Sequence, residues 1–168
     1  MVIERVFGCF SPDTEILLSN GNMVRIDQLG NDDVIKNPIT GRDMPVDEIR
    51  IGIEKEALVH IHTQQGSIKI TNNHPMLVVD LYSGEERIKF ARELEKTDII
   101  KTEMGEQFIT RISSHVERDY VYNIRLGGSD RVKDMFVLAN GFVAGDLRLQ
   151  YMMENKQKNN GMVASDID

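Results

Sequence analysis

The stretch IDQLGNDDVIKN, residues 26–37, returns 65 positions later as ARELEKTDIIKT, residues 91–102. Leu29 matches Leu94, Asp33 matches Asp98, Ile35 matches Ile100 and Lys36 matches Lys101, with Val34 against Ile99 a conservative change. Two further matches follow in the same order. ALVHIHT from Ala57 aligns with YVYNIRL from Tyr120 at an offset of 63, setting Val59–His60–Ile61 against Tyr122–Asn123–Ile124. ITNNHPMLVV aligns in pattern with FVLANGFVAG at an offset of 66. Two copies are too few for a solenoid, whose units need several neighbours to bury their faces. The repeat instead predicts two similar β-subunits related by a pseudo-twofold, each completing the other's core.

The runs between these landmarks are short, alternating and closed by Gly, Asn or Asp: TEILLSNG, NMVRI, SIKIT, MLVVDLYSG, DIIKT, FITRIS, MFVLANG and GFVAG. Most are rich in Val, Ile, Leu, Thr and Tyr, the pattern of an all-β domain with many short strands. RIDQL and KFAREL read as a turn or two of helix, GEERIKFARELEK as a charged, solvated helix face, and His115 in SSHVERD as a loop residue. Strand patterning stops after Asp146, where a helix-capable segment, residues 147–156, leads into a polar tail. These boundaries give an upstream flank at residues 1–8, a domain at 9–146 and a polar C-terminal tail at 147–168.

Composition narrows the function classes. The chain has 168 residues, enough for one domain with its own core. Lys and Arg number 20 against 27 Asp and Glu, a net charge of -7, and no basic run exceeds a pair. Nucleic acid is not an expected partner, because phosphate binding needs a positive face. No apolar run approaches the roughly 20 residues of a membrane helix, so no membrane association is expected, and Met1 to Cys9 is too short and too charged for a signal peptide. The sequence reads as a piece of a longer chain and as a monomer. Its one cysteine excludes an internal disulfide.

That cysteine, Cys9, directly follows Gly8 and precedes the first strand pattern. An unpaired cysteine is usually a small buried hydrophobe; the alternative is that Cys9 attacks the peptide bond before it. TNNHP places Thr71 and His74 at a bend between two strand runs, where a rigid scaffold can present reactive groups. His60 and His62 share a strand face and could join His74 on zinc, but a partly buried strand face is the stronger reading, and no metal or cofactor is expected.

GCFSPDTEILLSNGNMVRIDQLGNDDVI resembles the opening of the Hedgehog/intein (Hint) superfamily, in which a cysteine starts the domain. TNNHP looks like that family's Thr-x-x-His motif, FARELEKTDII is similar to its second Leu-x-x-x-Asp element, and DYVYNIRL and FVLANGFVAGD look like its last two motifs. The resemblance covers nearly all of residues 9–146 and implies a Hint-like fold of two pseudosymmetric β-subunits; the residues after it read from their own pattern as a short helical or disordered tail. It also implies single-turnover autocatalytic cleavage: an N-to-S acyl shift at Cys9, then opening of the thioester by water, a thiol or an amine, with the chain's own flank as substrate. On this resemblance Cys9 is the nucleophile, His74 protonates the departing Cys9 nitrogen, Thr71 holds the scissile amide, and Gly8 leaves room for a distorted backbone. Asn123 stands where many members carry an Asp that tunes the first step.

The far end departs from splicing members, which end in His-Asn before a Ser, Thr or Cys. Here Gly145, Asp146 and Leu147 take those places, and Leu147 offers no nucleophile, so full splicing is disfavoured. Cys9, Thr71, His74 and Asp146 are expected to converge. Two alternatives stay open: an inactive scaffold that only presents its flanks, and a member that also cleaves slowly after Asp146.

Overall fold

The repeated segment folds twice into the same local structure. In the computed structural model, which describes residues 8–157, Ile26–Gln28 and Ala91–Glu93 each form one 3-10 turn. The flanking backbone matches as well: Arg25 (φ -61, ψ 140) and Phe90 (φ -67, ψ 148) enter the turns, while Leu29 (φ -69, ψ 137) and Leu94 (φ -68, ψ 139) leave them. The shared aspartates have a shared task. Asp33 Oδ2 accepts the Gly30 N–H at 2.8 Å and Asp98 Oδ2 the Glu95 N–H at 2.9 Å, each closing a turn through its own side chain.

Around these turns run β1 (Glu15–Leu17), β2 (Met23–Arg25), β3 (Val34–Lys36), β4 (Asp43–Ile53), β5 (Ala57–His62), β6 (Ser67–Ile70) and β7 (Pro75–Val79). There follow β8 (Glu86–Phe90), β9 (Ile99–Thr102), β10 (Gly105–Phe108), β11 (Arg111–Val116), β12 (Tyr120–Leu126), β13 (Phe136–Ala139), β14 (Phe142–Gly145) and one α-helix, α1 (Leu147–Gln157). Among the described residues all strand pairings are antiparallel. One sheet runs β10-β9-β7-β14-β13-β1-β2 with β8 on β7, and two three-stranded sheets run β11-β5-β6 and β12-β4-β3. The chain is all-β, as its pattern of short strands predicts.

The two copies exchange strands. Moving 63 positions along the chain carries β5 onto β12 and the His60–Ser113 register of the β5–β11 pair onto the Asn123–Arg50 register of the β12–β4 pair. Each copy's long strand therefore pairs with a strand of the other copy, so neither half can satisfy its own backbone. Beneath the sheets lies one core built from both halves, including Ile16, Ile35, Ile61, Ile70, Ile100, Ile124 and Phe142. The β13–β14 hairpin turns on Asn140 and Gly141, whose φ values of 48 and 82 belong to the tight Asn-Gly turn that matches strand twist.

Three readings of the sequence are corrected. Residues 86–90 form β8 rather than a helix face, because Ile88 and Phe90 point to the core at a spacing of two. His115 lies in β11, opposite Leu58, and not in a loop. Helix α1 does not trail from the domain. Leu149 and Met153 enter a second core cluster with Leu77, Phe90, Phe136 and Leu138, so the packed body continues past Asp146. Most of the upstream flank and the end of the tail lie outside the described residues.

Candidate active site

Residues 9–11 enter the body as a short extended segment between two strands. The Phe10 N–H donates to the Tyr122 carbonyl of β12 at 2.8 Å, and Tyr122 returns the bond at 2.9 Å. On the other side the Thr71 N–H donates to the Cys9 carbonyl at 2.9 Å, just past β6. These bonds fix the Gly8–Cys9 peptide in register with β12 and with the TNNH turn. That turn closes with the His74 N–H donating to the Thr71 carbonyl at 3.2 Å, which brings Thr71 and His74 to one place.

The two ends of the Gly8–Cys9 amide are held by different elements, the turn after β6 and strand β12. The Cys9 N–H donates to Thr71 Oγ1 at 2.6 Å. The Gly8 carbonyl accepts a short hydrogen bond from the Asn123 side-chain amide on β12. Cys9, Asn123 and His74 are fully buried and Thr71 nearly so. The Cys9 N–H, the nitrogen that His74 is expected to protonate as it departs, is held by Thr71 Oγ1.

His74 faces both ends of the domain. Its Nε2 lies 3.0 Å from the Gly145 carbonyl, and because a carbonyl only accepts, Nε2 must carry the proton. The Phe10 ring, 4.1 Å away and tilted by 52°, braces the imidazole. Burial pushes its pKa down to about 3, against the pull of the Gly145 and Gly8 carbonyls. The ring is therefore neutral near pH 7, and its Nδ1 is a buried lone pair with no hydrogen-bond partner among the described residues. The Cys9 thiol, packed with Leu58 and Val121, is the complement. Burial first, then the Glu54 carboxylate, raises the Cys9 pKa well above its ordinary value, with the Arg50 guanidinium opposing. At rest the pair is a protonated thiol and an unprotonated base.

The downstream residues are arranged differently from expectation. Asp146 is buried next to the site, but its carboxyl caps α1: Oδ1 accepts the Leu149 N–H at 3.0 Å and Oδ2 the Leu126 N–H at 3.0 Å, with Arg148 Nε at 3.4 Å from Oδ2. Burial raises its pKa to about 6 despite those donors. Asp146 meets the rest of the site through the neighbouring Gly145 carbonyl and through its own carbonyl, which accepts the Gln150 N–H at 3.2 Å. At Gly145 a side chain has no room, since a Cβ would stand 2.7 Å from Leu149 Cδ2 and 2.9 Å from Pro75 Cβ.

The sequence reading missed Gln150, placed in the polar tail. It is fully buried, and its Oε1 accepts from Asn123 Nδ2 at 3.3 Å. Its position four residues after Asp146, next to Leu149 and three residues before Met153, was the available signal. His60 and His62 lie elsewhere: His60 stacks on His115 at 4.5 Å and sits 3.3 Å from Glu117, and His62 pairs with Arg111 at 3.2 Å. Among the described residues no group of three or more His, Cys, Asp or Glu side chains is placed to hold a metal ion.

No family profile and no curated protein matches the sequence. Solved structures do. The gp41-1 intein is similar at a TM-score of 0.64 and 18% identity, over 84% of this chain and 100% of that one. A DnaB intein from Synechocystis sp. PCC 6803 is similar at 0.65 and 21%, over 83% and 98%. A bacterial intein-like domain from Clostridium thermocellum is similar at 0.65 and 21%, over 84% and 99%. At these identities the likeness establishes the fold: the chain has the Hint fold shared by these proteins.

Proposed function

We propose that this Hint-fold chain cleaves its own backbone at the Gly8–Cys9 bond through a thioester on Cys9. The observation that carries the reading is the clamp on that one amide, with Asn123 on its oxygen and Thr71 on its N–H. A planar amide resists attack because of its resonance. A donor on the oxygen stabilises the negative charge that gathers there as a nucleophile adds, and it is most effective where water is excluded.

The step runs as follows. Cys9 Sγ attacks the Gly8 carbonyl carbon through a five-membered ring, so proximity replaces an encounter. The thiol proton passes to His74 Nδ1, the free lone pair, while Nε2–H stays on the Gly145 carbonyl. The C–S bond forms, the C–N bond breaks, and the imidazolium returns the proton to the Cys9 nitrogen, which departs as an amine. Atoms and charge balance: amide and thiol become thioester and amine. Water, a thiol or an amine then opens the thioester and releases or takes up the upstream flank. His74 thus acts first as base and then as acid.

Cleavage after Asp146 receives no such support. Its carboxyl is held in the helix cap, and Leu149 and Pro75 fill the space that a histidine at position 145 would need. The reading is a single-ended processing domain. A reporter fused ahead of residue 1 tests it: added hydroxylamine should release the reporter at Gly8, the Cys9→Ala variant should stay intact, and His74→Ala should be slower. An intact parent fusion after long incubation would favour the inert scaffold.

A further inference from the structure

Gly8 adopts φ +64, a left-handed conformation, and a Cβ at this position would stand 2.5 Å from Gln150 Oε1 and 3.1 Å from the Asn73 carbonyl oxygen. A long side chain can usually move aside for a methyl group. Gln150 is poorly free to do so. It has no exposed surface, its Nε2 donates to Glu154 Oε1 at 2.9 Å, and its Oε1 is an acceptor for Asn123 Nδ2. The helix beneath it is tied to the body by Asp146 at its start, by Arg50 bonded to the Tyr151 hydroxyl, and by Arg92 Nη2 on Gln157 at 3.2 Å.

The same amide oxygen therefore does two things. It fills the volume where a side chain at position 8 would begin, and it helps aim the Asn123 amide at the Gly8 carbonyl. Any side chain there must push Gln150 away and loosen the donor on the scissile oxygen. We infer that Gln150, presented by α1, is the specificity-determining residue for the position preceding Cys9, admitting glycine and refusing residues with a Cβ. This inference rests on the self-cleavage reading, and it makes α1 a working part of the site.

A double-mutant cycle on the full chain with a fused reporter tests it. Gly8→Ala is expected to slow hydroxylamine-induced release strongly when Gln150 is present. In the Gln150→Ala background the same change should slow release at least about fivefold less, the remainder reflecting left-handed strain and the Asn73 carbonyl. Equal penalties in both backgrounds, with the parent cleaving normally, would overturn the inference and leave self-cleavage standing. A parent that never cleaves removes the reading beneath it instead. Melting of the same four variants in a Cys9→Ala background reads the contact without chemistry: the loss in melting temperature from Gly8→Ala should shrink when Gln150 is truncated, and an unchanged loss counts against the contact. Gln150→Ser repeats each arm should Gln150→Ala fold poorly.

Discussion

The Gly8–Cys9 amide is gripped at both ends, and the grips make separable predictions. Asn123→Ala removes the donor on the Gly8 oxygen and should slow release by about a hundredfold, the usual size for one such donor. Thr71→Val leaves the Cys9 N–H buried without an acceptor and should cost about 1–3 kcal/mol in unfolding free energy, read from denaturant melts, as well as slowing cleavage. His74 gives a pH signature. With its pKa pushed down to about 3 the imidazole stays a base in acid, so the rate under saturating nucleophile at pH 5 should stay within about twofold of that at pH 7. An ordinary histidine would lose about twentyfold over that interval. Stability follows the opposite course: the unfolded chain takes up the proton first, so stability is lost as pH falls from about 6.5 toward 3, more steeply in the parent than in His74→Asn. At this scale the sequence was legible where a motif carried the residue. Cys9, Thr71 and His74 could be picked out, but a motif does not say which atom meets which, and only the turn geometry puts Thr71 on the Cys9 nitrogen.

Helix α1 is the element that sequence patterning served least well. Its buried side chains, Leu147, Leu149, Gln150 and Met153, are interleaved with charged and amide residues, which dilutes the apolar stripe that marks a packed helix. Its energetic role is nonetheless that of core. Leu149→Ala should destabilise by about 2–5 kcal/mol in a denaturant melt, as for any fully buried leucine. Asp146 anchors the helix start under opposing forces. Its folded pKa, raised to about 6, means that its contribution is full below about 3.8 and is lost as pH rises through 6. Asp146→Asn should flatten that part of the profile while leaving one of the Leu126 and Leu149 N–H groups poorly matched. Strands were easier to read, because a period of two survives even in short segments. Residues 86–90 show the limit, since a strand with charges on its outer face mimics a solvated helix.

For the molecule as a whole, strand exchange between the two copies is the organising fact, and the repeat announced the copies but not the exchange. Matching segments say that two units are alike; which strand pairs with which depends on register, and β4 with β12 and β5 with β11 could be known only from the fold. Cutting the chain at the exposed turn after Tyr82 should therefore yield two fragments without cooperative melting transitions of their own, which regain one when mixed. The swapped strands carry Asn123 to Gly8, so the interlocking of the halves and the clamp on the amide are one structure. The most direct test of that clamp's purpose is the chemical identity of the released C-terminus. After hydroxylamine treatment of a reporter fusion, intact mass and fragment spectra should place a hydroxamate on Gly8, the product that a thioester leaves. No hydroxamate at Gly8 at any hydroxylamine concentration, or a new end at another residue, would contradict the account.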